Sequence, residues 1–227
     1  MIDWLTEIPA GKAIEFGDLR RRTPISTRFA YDRGTPIDRL YIEEFLENHR
    51  GDVRGRVLEV GDNSYTMRFG GNRVVHSDIL HVRGGAPGAT IIADLADAAH
   101  VPSDSFDCII LSQVLELVYE VRAAVATLYR ILKPGGVLLA TVPGISNIDH
   151  GEWHKDWMWS FTVNSLRRLL AEKFPSGNVR AGSRGNVFTA TAFLHGLSLE
   201  DIAQFDHRHD DPHYQVTVLA RAVKEAP

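Results

Sequence analysis

The chain has 227 residues, 44% of them apolar, with 25 basic and 29 acidic side chains and a formal net charge of −4. That length suits one domain. The apolar share is too high for a disordered chain, and the charge offers no general attraction to nucleic acid. One cysteine, Cys108, excludes an intrachain disulfide and a thiol zinc cluster, and its apolar surroundings read as burial.

In chain order, residues 1–35 are irregular, with Pro9, Pro24 and Gly34 and a basic run, "RRRT" at 20–23, that reads as a solvated face. An acid at position 3 and the lack of an apolar run argue against a secretory signal. The stretch "TPIDRLYIEEFLENHRG" places Ile37, Leu40, Tyr41, Phe45 and Leu46 on one helical face. Thr35 or Asp38 is its expected cap, Pro36 suits its first turn, and Gly51 closes it.

The period then changes. Residues 56–60, 72–78, 89–94, 106–112 and 136–143 are short, β-rich and almost wholly apolar. Strands apolar on both faces belong to a parallel sheet covered by helices. Between the last two, "QVLELVYEVRAAVATLYRILKPGG" has helical spacing up to Pro134. Alternating strand and helix predicts an α/β domain with right-handed crossovers. An aromatic stretch follows Pro143, then a helix in "VNSLRRLLAEKF", a strand running into a helix over 178–196, and a final alternating strand at or near an edge. The longest apolar stretch, residues 137–142, is far below the roughly 20 residues of a membrane helix. A cytoplasmic protein without a membrane partner is expected.

Open parallel sheets bind ligands beyond the carboxyl ends of their strands. The first strand ends in Glu59-Val60-Gly61, the second in Asp78-Ile79, the third in Asp94-Leu95 and the fourth in Ser112-Gln113. Asp78 can accept from both hydroxyls of a ribose, and Asp94 from an adenine amino group. The turn after Gly61 lacks the spaced glycines of a dinucleotide loop. It places Asp62 and Asn63 where a diphosphate would sit. An acidic, carbonyl-rich turn suits the ammonium of S-adenosylmethionine, which carries no phosphate, and Glu59 can anchor that turn.

"RVLEVGDNSY", "SDIL", "ADLADAAHVPSDSFDCIILSQVLELV", "LYRILKPGGVLLATVPG" and "WSFT" together resemble the class I S-adenosylmethionine-dependent methyltransferases, in their small-molecule branch associated with glycan and secondary-metabolite pathways. The likeness covers roughly residues 36–223. Asn63 and Tyr65 stand at the family's second and third glycine positions, Leu117 at a frequent histidine and Ser160 at the usual arginine. The resemblance implies a Rossmann-like, mostly parallel seven-stranded sheet of order 3-2-1-4-5-7-6, with the seventh strand antiparallel. It also implies a lid made of the N-terminal helix and the segment after strand five.

The reading is one domain: an N-terminal cap over 1–50, a cofactor-binding core over 51–143, and a substrate lid with C-terminal strands over 144–227. Expected cofactor contacts are Glu59, Gly61, Asp62, Asn63, Asp78, Ile79, Asp94, Leu95, Ser112 and Gln113. Tyr31, Arg33, Arg39, Trp153, Trp157 and Trp159 are expected to reach the substrate, and His150 or His154 to act as general base. The acceptor is expected to be a sugar or natural-product intermediate methylated on O, N or C, with a homodimer left open. A non-catalytic adenosyl-binding subunit is the alternative. His207, His209, Asp210, Asp211 and His213 have the chemistry of a metal site, but they read as a polar loop and no metal is expected.

Overall fold

A computed structural model describes residues 17–226. Residues 1–16 of the expected N-terminal cap lie outside the described residues. The strands are β1 (Gly55–Val60), β2 (Val74–His81), β3 (Ile91–Ile92), β4 (Phe106–Ser112), β5 (Leu132–Pro143), β6 (Val179–Arg184) and β7 (Thr217–Val223). They form one sheet in the order β3-β2-β1-β4-β5-β7-β6, the Rossmann-like order that the resemblance implied. The first five are parallel, and β7 lies antiparallel between β5 and β6.

The period of two sorts the strand side chains into two cores. Leu58, Ile109, Leu111, Leu138 and Ala140 face helices α2 (Val121–Ile131) and α3 (Val163–Ala171). Their neighbours Val57, Cys108, Ile110, Val137 and Leu139 face Ile42, Phe45 and Leu46 of α1 (Ile37–Asn48). Both sets are buried, which is why these strands read as unbroken apolar runs. Ile37 and Tyr41, on another side of α1, pack against α4 (Val187–Leu194) and the short α5 (Leu199–Ile202). Helix α1 has no side-chain cap: Thr35 instead donates both its amide and its hydroxyl to Glu200. Helices α3 and α4 each begin with a capping box, Thr162 with Ser165 and Asn186 with Thr189.

Two differences from the sequence reading touch the site. Strand β2 continues to His81, because Val60 pairs with Leu80 and the Gly61 amide donates to the Leu80 carbonyl. Asp78 and Ile79 are therefore interior strand residues, opposite Leu58 and Glu59. The helix expected from Gln113 begins only at Val121. Gln113 takes a left-handed backbone, φ +54, and a 3-10 turn at Leu115–Leu117 precedes α2. This loop is held from two sides: the Gln113 amide donates to Thr141, and the Glu116 carbonyl accepts from the amides of Met158 and Trp159. Leu115 and Val118 still point into the core, so the loop carries a helix-like apolar pattern. Among the described residues, no helix is long and apolar enough to cross a membrane.

Gly144, where β5 leaves the sheet, has no room for a side chain. A Cβ there would collide with the Gln215 carbonyl oxygen, beside the bonds that join 144–145 to 215–216. Gly144→Ala is expected to lower the unfolding free energy in urea by about 1–3 kcal/mol, as overpacking does.

Candidate functional site

The chain reverses direction between β3 and β4, so β1 and β4 flank the switch point of the sheet, where such folds open a crevice. A cavity of about 740 Å³ lies there, floored by Gly61, Leu80, Asp94, Leu95, Ser112 and Gln113. A second cavity of about 490 Å³ adjoins it across Tyr31 and Arg39, and holds Glu59, Asp62 and Ser64.

The turn after β1 depends on Glu59. This side chain is 3% exposed, and its two oxygens accept from the amides of Tyr65 (3.2 Å) and Thr66 (2.7 Å). Burial lifts its pKa to about 7, against the pull of those same hydrogen bonds. Gly61 has φ +99, and a Cβ on it would meet no atom within 4 Å, so the turn presents bare backbone to open space. Asp62 caps the following turn by accepting from the Ser64 amide at 2.7 Å.

The lid comes from three parts of the chain. Phe29 and Ala30 both have left-handed backbone, φ +51 and +70, and this bend brings Phe29 parallel to Trp157 with ring centroids 6.2 Å apart. Trp153, Trp157, Asp149 and Asp156 line the cavity from the segment after β5. Phe193 of α4 closes the same side and touches the Phe29 ring at 6.1 Å. Arg83, just past β2, ties the lid down: its guanidinium meets Glu152 at 2.7 Å and Asp156 at 3.2 Å, and lies 4.8 Å from the Trp153 ring centre.

Of the expected cofactor contacts, Gly61, Asp94, Leu95, Ser112 and Gln113 line the larger cavity, and Glu59 and Asp62 the smaller. Asp94 accepts from the Ala96 amide at 2.8 Å through one oxygen. Asn63 turns away and donates to Ser77. Asp78 and Ile79 are corrections: neither lines a cavity, because each lies inside β2. Asp78 binds Arg56 Nε at 2.7 Å and the Thr90 hydroxyl at 3.0 Å. Burial raises its pKa, but these bonds and the charges of Arg56 and His76 outweigh it, and the net shift is downward. His81, Val82 and Arg83 stand at the strand end that the sequence had given to Asp78. His81 Nδ1 lies 3.0 Å from the Arg83 amide, which donates to it.

Tyr31, Arg39, Trp153 and Trp157 do reach the cavity. Arg33 does not, because it forms a two-pronged pair with Asp201 at 2.7 and 2.9 Å. Trp159 packs on Tyr119 outside and donates to the Val118 carbonyl. His150 and His154 are exposed on the outer side of the lid and line neither cavity, so the expected bases face solvent. In the C-terminal polar loop, Asp210 accepts from the Gly185 amide and pairs with Arg184, tying the loop to the end of β6.

Two buried carboxyls in the cavity wall were not singled out by the sequence reading. Glu116 is 1% exposed and Asp38 9%, and each has one oxygen with no hydrogen-bond partner. Arg39, adjacent to Asp38, donates to the Tyr65 hydroxyl at 3.1 Å and approaches Asp38 only to 3.8 Å. The one available signal for Glu116 was an acid alone among apolar residues in "QVLELV". Asp38 had been absorbed by its reading as a cap. Altogether six acidic residues line the larger cavity (Asp38, Asp94, Glu116, Glu120, Asp149, Asp156) against two arginines, Arg39 and Arg83. Such a wall repels a diphosphate and suits a ligand with positive charge.

The methyltransferase domain family matches residues 64–140. The ubiquinone/menaquinone biosynthesis C-methyltransferase UbiE of Marinomonas sp. (strain MWYL1) is 31% identical over 85 residues, covering 37% of this chain and 32% of its own. The chain thus spans about a third of the length of the curated relative it matches. A SAM-dependent methyltransferase from Archaeoglobus fulgidus is similar in structure, with a TM-score of 0.52 and 11% identity over 83% of this chain and 100% of its own. The [4+2]-cyclase SpnF is similar with a TM-score of 0.52 and 16% identity, over 86% of this chain and 84% of its own. At these identities the structural likeness is one of fold.

Two outcomes follow from this arrangement. Asp78→Asn is expected to cost about 1.5–3 kcal/mol of stability in denaturant melts, the range for a hydrogen bond to a charged group, while ligand affinity stays level. Because the folded pKa of Asp78 is lowered, its contribution is complete above the unfolded value near 3.9 and fades as pH falls through the folded one. Arg83→Ala is expected to speed amide hydrogen exchange over 149–157 several-fold with little change in melting temperature, since its ion pairs are half-exposed.

Proposed function

We propose that this chain is a class I S-adenosylmethionine-dependent methyltransferase, which binds S-adenosylmethionine and methylates a small-molecule acceptor. The observation that carries the reading is the acidic cavity at the β1/β4 switch point, reached by a glycine turn that offers bare backbone and no phosphate site. The residues present fit the cofactor. Gly61 and Asp62, with Glu59 fixing the turn, would hold its amino-acid end. Asp94 and the apolar Leu80, Val82 and Leu95 would hold adenine. With Asp78 inside the strand, the group left at the end of β2 for the ribose is His81.

The bound cofactor supplies a methyl group already activated as a sulfonium. The chain's own task is then alignment and exclusion of water. Ser112 and Gln113 end β4 beside the turn, and Gln113 is held in a left-handed backbone at this point, the kind of local strain that concentrates at functional sites. Trp153, Trp157 and Phe29 shut the cavity above. Tyr31 and Arg39 border the acceptor side. An acceptor drawn from sugars or natural-product intermediates in the cytoplasm suits the apolar and acidic lining, and methylation on O, N or C is open to it. SpnF, a [4+2]-cyclase by name, shares the fold. Binding and turnover are therefore tested separately.

Calorimetry is expected to show micromolar binding of S-adenosylhomocysteine and S-adenosylmethionine and no binding of NAD. Asp94→Ala is expected to weaken both adenosyl ligands about tenfold, or 1.4 kcal/mol. Binding of NAD, or an unchanged affinity in Asp94→Ala, counts against the reading. Adenosyl binding without methyl transfer to any member of an acceptor panel would make the chain a binding subunit instead.

A further inference from the structure

Glu116 is buried on the 3-10 turn between β4 and α2, in the wall of the larger cavity, and its Oε2 has no hydrogen-bond partner. The fold uses only its backbone, whose carbonyl receives the Met158 and Trp159 amides. A buried carboxyl oxygen left unpaired is costly, and Leu115 and Leu117 on either side show that the turn accepts apolar residues. The turn follows directly on Ser112-Gln113 at the end of β4, next to Gly61 at the end of β1. The groups assigned above to adenine, Leu80, Val82, Asp94 and Leu95, lie at or just past the ends of β2 and β3, whereas Ser112, Gln113 and Glu116 lie at or just past the end of β4. A ligand that spans the switch point from the adenine side would bring its far end past Gly61 toward Glu116.

The charged groups facing Glu116 are Arg39 and Asp38 of α1. Glu120 on its own segment, Asp149 and Asp156 of the lid, and His81, Arg83 and Asp94 at the ends of β2 and β3 line the rest of the cavity.

We propose that Glu116 takes the acceptor's proton, and that the acceptor is a neutral molecule presenting a hydroxyl or an amine rather than a carboxylate or thiolate. This rests on the methyl-transfer reading above. The ionised Glu116 carboxylate accepts the proton as the acceptor's oxygen or nitrogen bonds to the methyl carbon. The carbon–sulfur bond breaks with its electron pair left on sulfur. A carboxylate and a sulfonium become a carboxylic acid and a neutral thioether, so atoms and charge balance within the cavity. An acceptor that arrives as an anion needs no base and is repelled by Asp38 and Glu116.

Burial pushes the Glu116 carboxyl up to about 8; the neighbouring Asp38 charge adds to this, while its own backbone amide and Arg39 oppose it. Near neutral pH the side chain is mostly protonated until positive charge enters the cavity. S-adenosylmethionine brings that charge at sulfur, and S-adenosylhomocysteine does not. A ligand that favours the ionised form binds more tightly as pH rises toward the free pKa, and its affinity is flat above it.

The test is the affinity of both ligands by calorimetry from pH 6.5 to 9.5. The affinity ratio of S-adenosylmethionine to S-adenosylhomocysteine is expected to climb about tenfold between pH 7 and 9 and then level off. It should be flat in Glu116→Gln and climb again in Glu116→Asp, which restores a titrating group. Transfer of labelled methyl to the hydroxyl- and amine-bearing members of an acceptor panel should fall at least a hundredfold in Glu116→Gln. A flat ratio in the wild type, an equal climb in Glu116→Gln, or an undiminished rate in that variant overturns the assignment while the methyl-transfer reading stands. Failure of the wild type to bind either ligand overturns both.

Discussion

The buried carboxylate of Glu59 is the constraint on which the site depends. A parallel pair of strands needs a crossover, and here only residues 61–73 join β1 to β2. With one glycine in place of three, backbone freedom alone cannot shape the turn. Glu59 supplies the shape by receiving two successive amides, at Tyr65 and Thr66. Gly61 is thereby held with its backbone open to the cavity, and Tyr65 is brought under Arg39, which in turn borders Asp38. The floor of the site and one wall follow from a single side chain two residues before the glycine.

The rest of the site is assembled from distant pieces. The bend at Phe29 and Ala30, the aromatic segment after β5 and Phe193 of α4 meet over the cavity only because α1 packs between the sheet and α4. Arg83 links this lid to the end of β2 through two ion pairs and the Trp153 face. These contacts are half-exposed and individually weak. The acidic wall beneath carries a cost in stability, since Asp38 and Glu116 each bury an unpaired oxygen. Burial of that kind is expected where a protein uses the group, because an apolar residue would serve the fold better.

The sheet was legible because its strands are apolar on both faces and are separated by helical patterns. The seventh strand's direction and the strand order came from the resemblance carried by "LKPGG" and its companions, and the structure has that order. What misled the reading was a matter of a few residues at element ends. Ile79, Leu80 and His81 continue the alternation of β2, so nothing local marks Asp78 as the end or the interior of the strand. The apolar residues of "QVLELV" repeat as a helix does, yet they pack into the same core from a 3-10 turn. Period alone cannot separate the two when the same face is buried.

The amino-acid sequence by itself determined the fold class and placed the candidate site beyond the carboxyl ends of the strands, at the turn after Gly61. Those follow from hydrophobic period and from residues adjacent in the chain, which local sterics and burial govern. Which side chains enter the cavity was decided by the tertiary structure. His150 and His154 lie close in sequence to Trp153 and Trp157 but on the other side of the same segment, facing water. Asp38 and Glu116 are far apart in the chain, and they share one wall because strand register and the packing of α1 place them there. Register and packing are set by long-range contacts summed over the whole core, and no short stretch of sequence contains them.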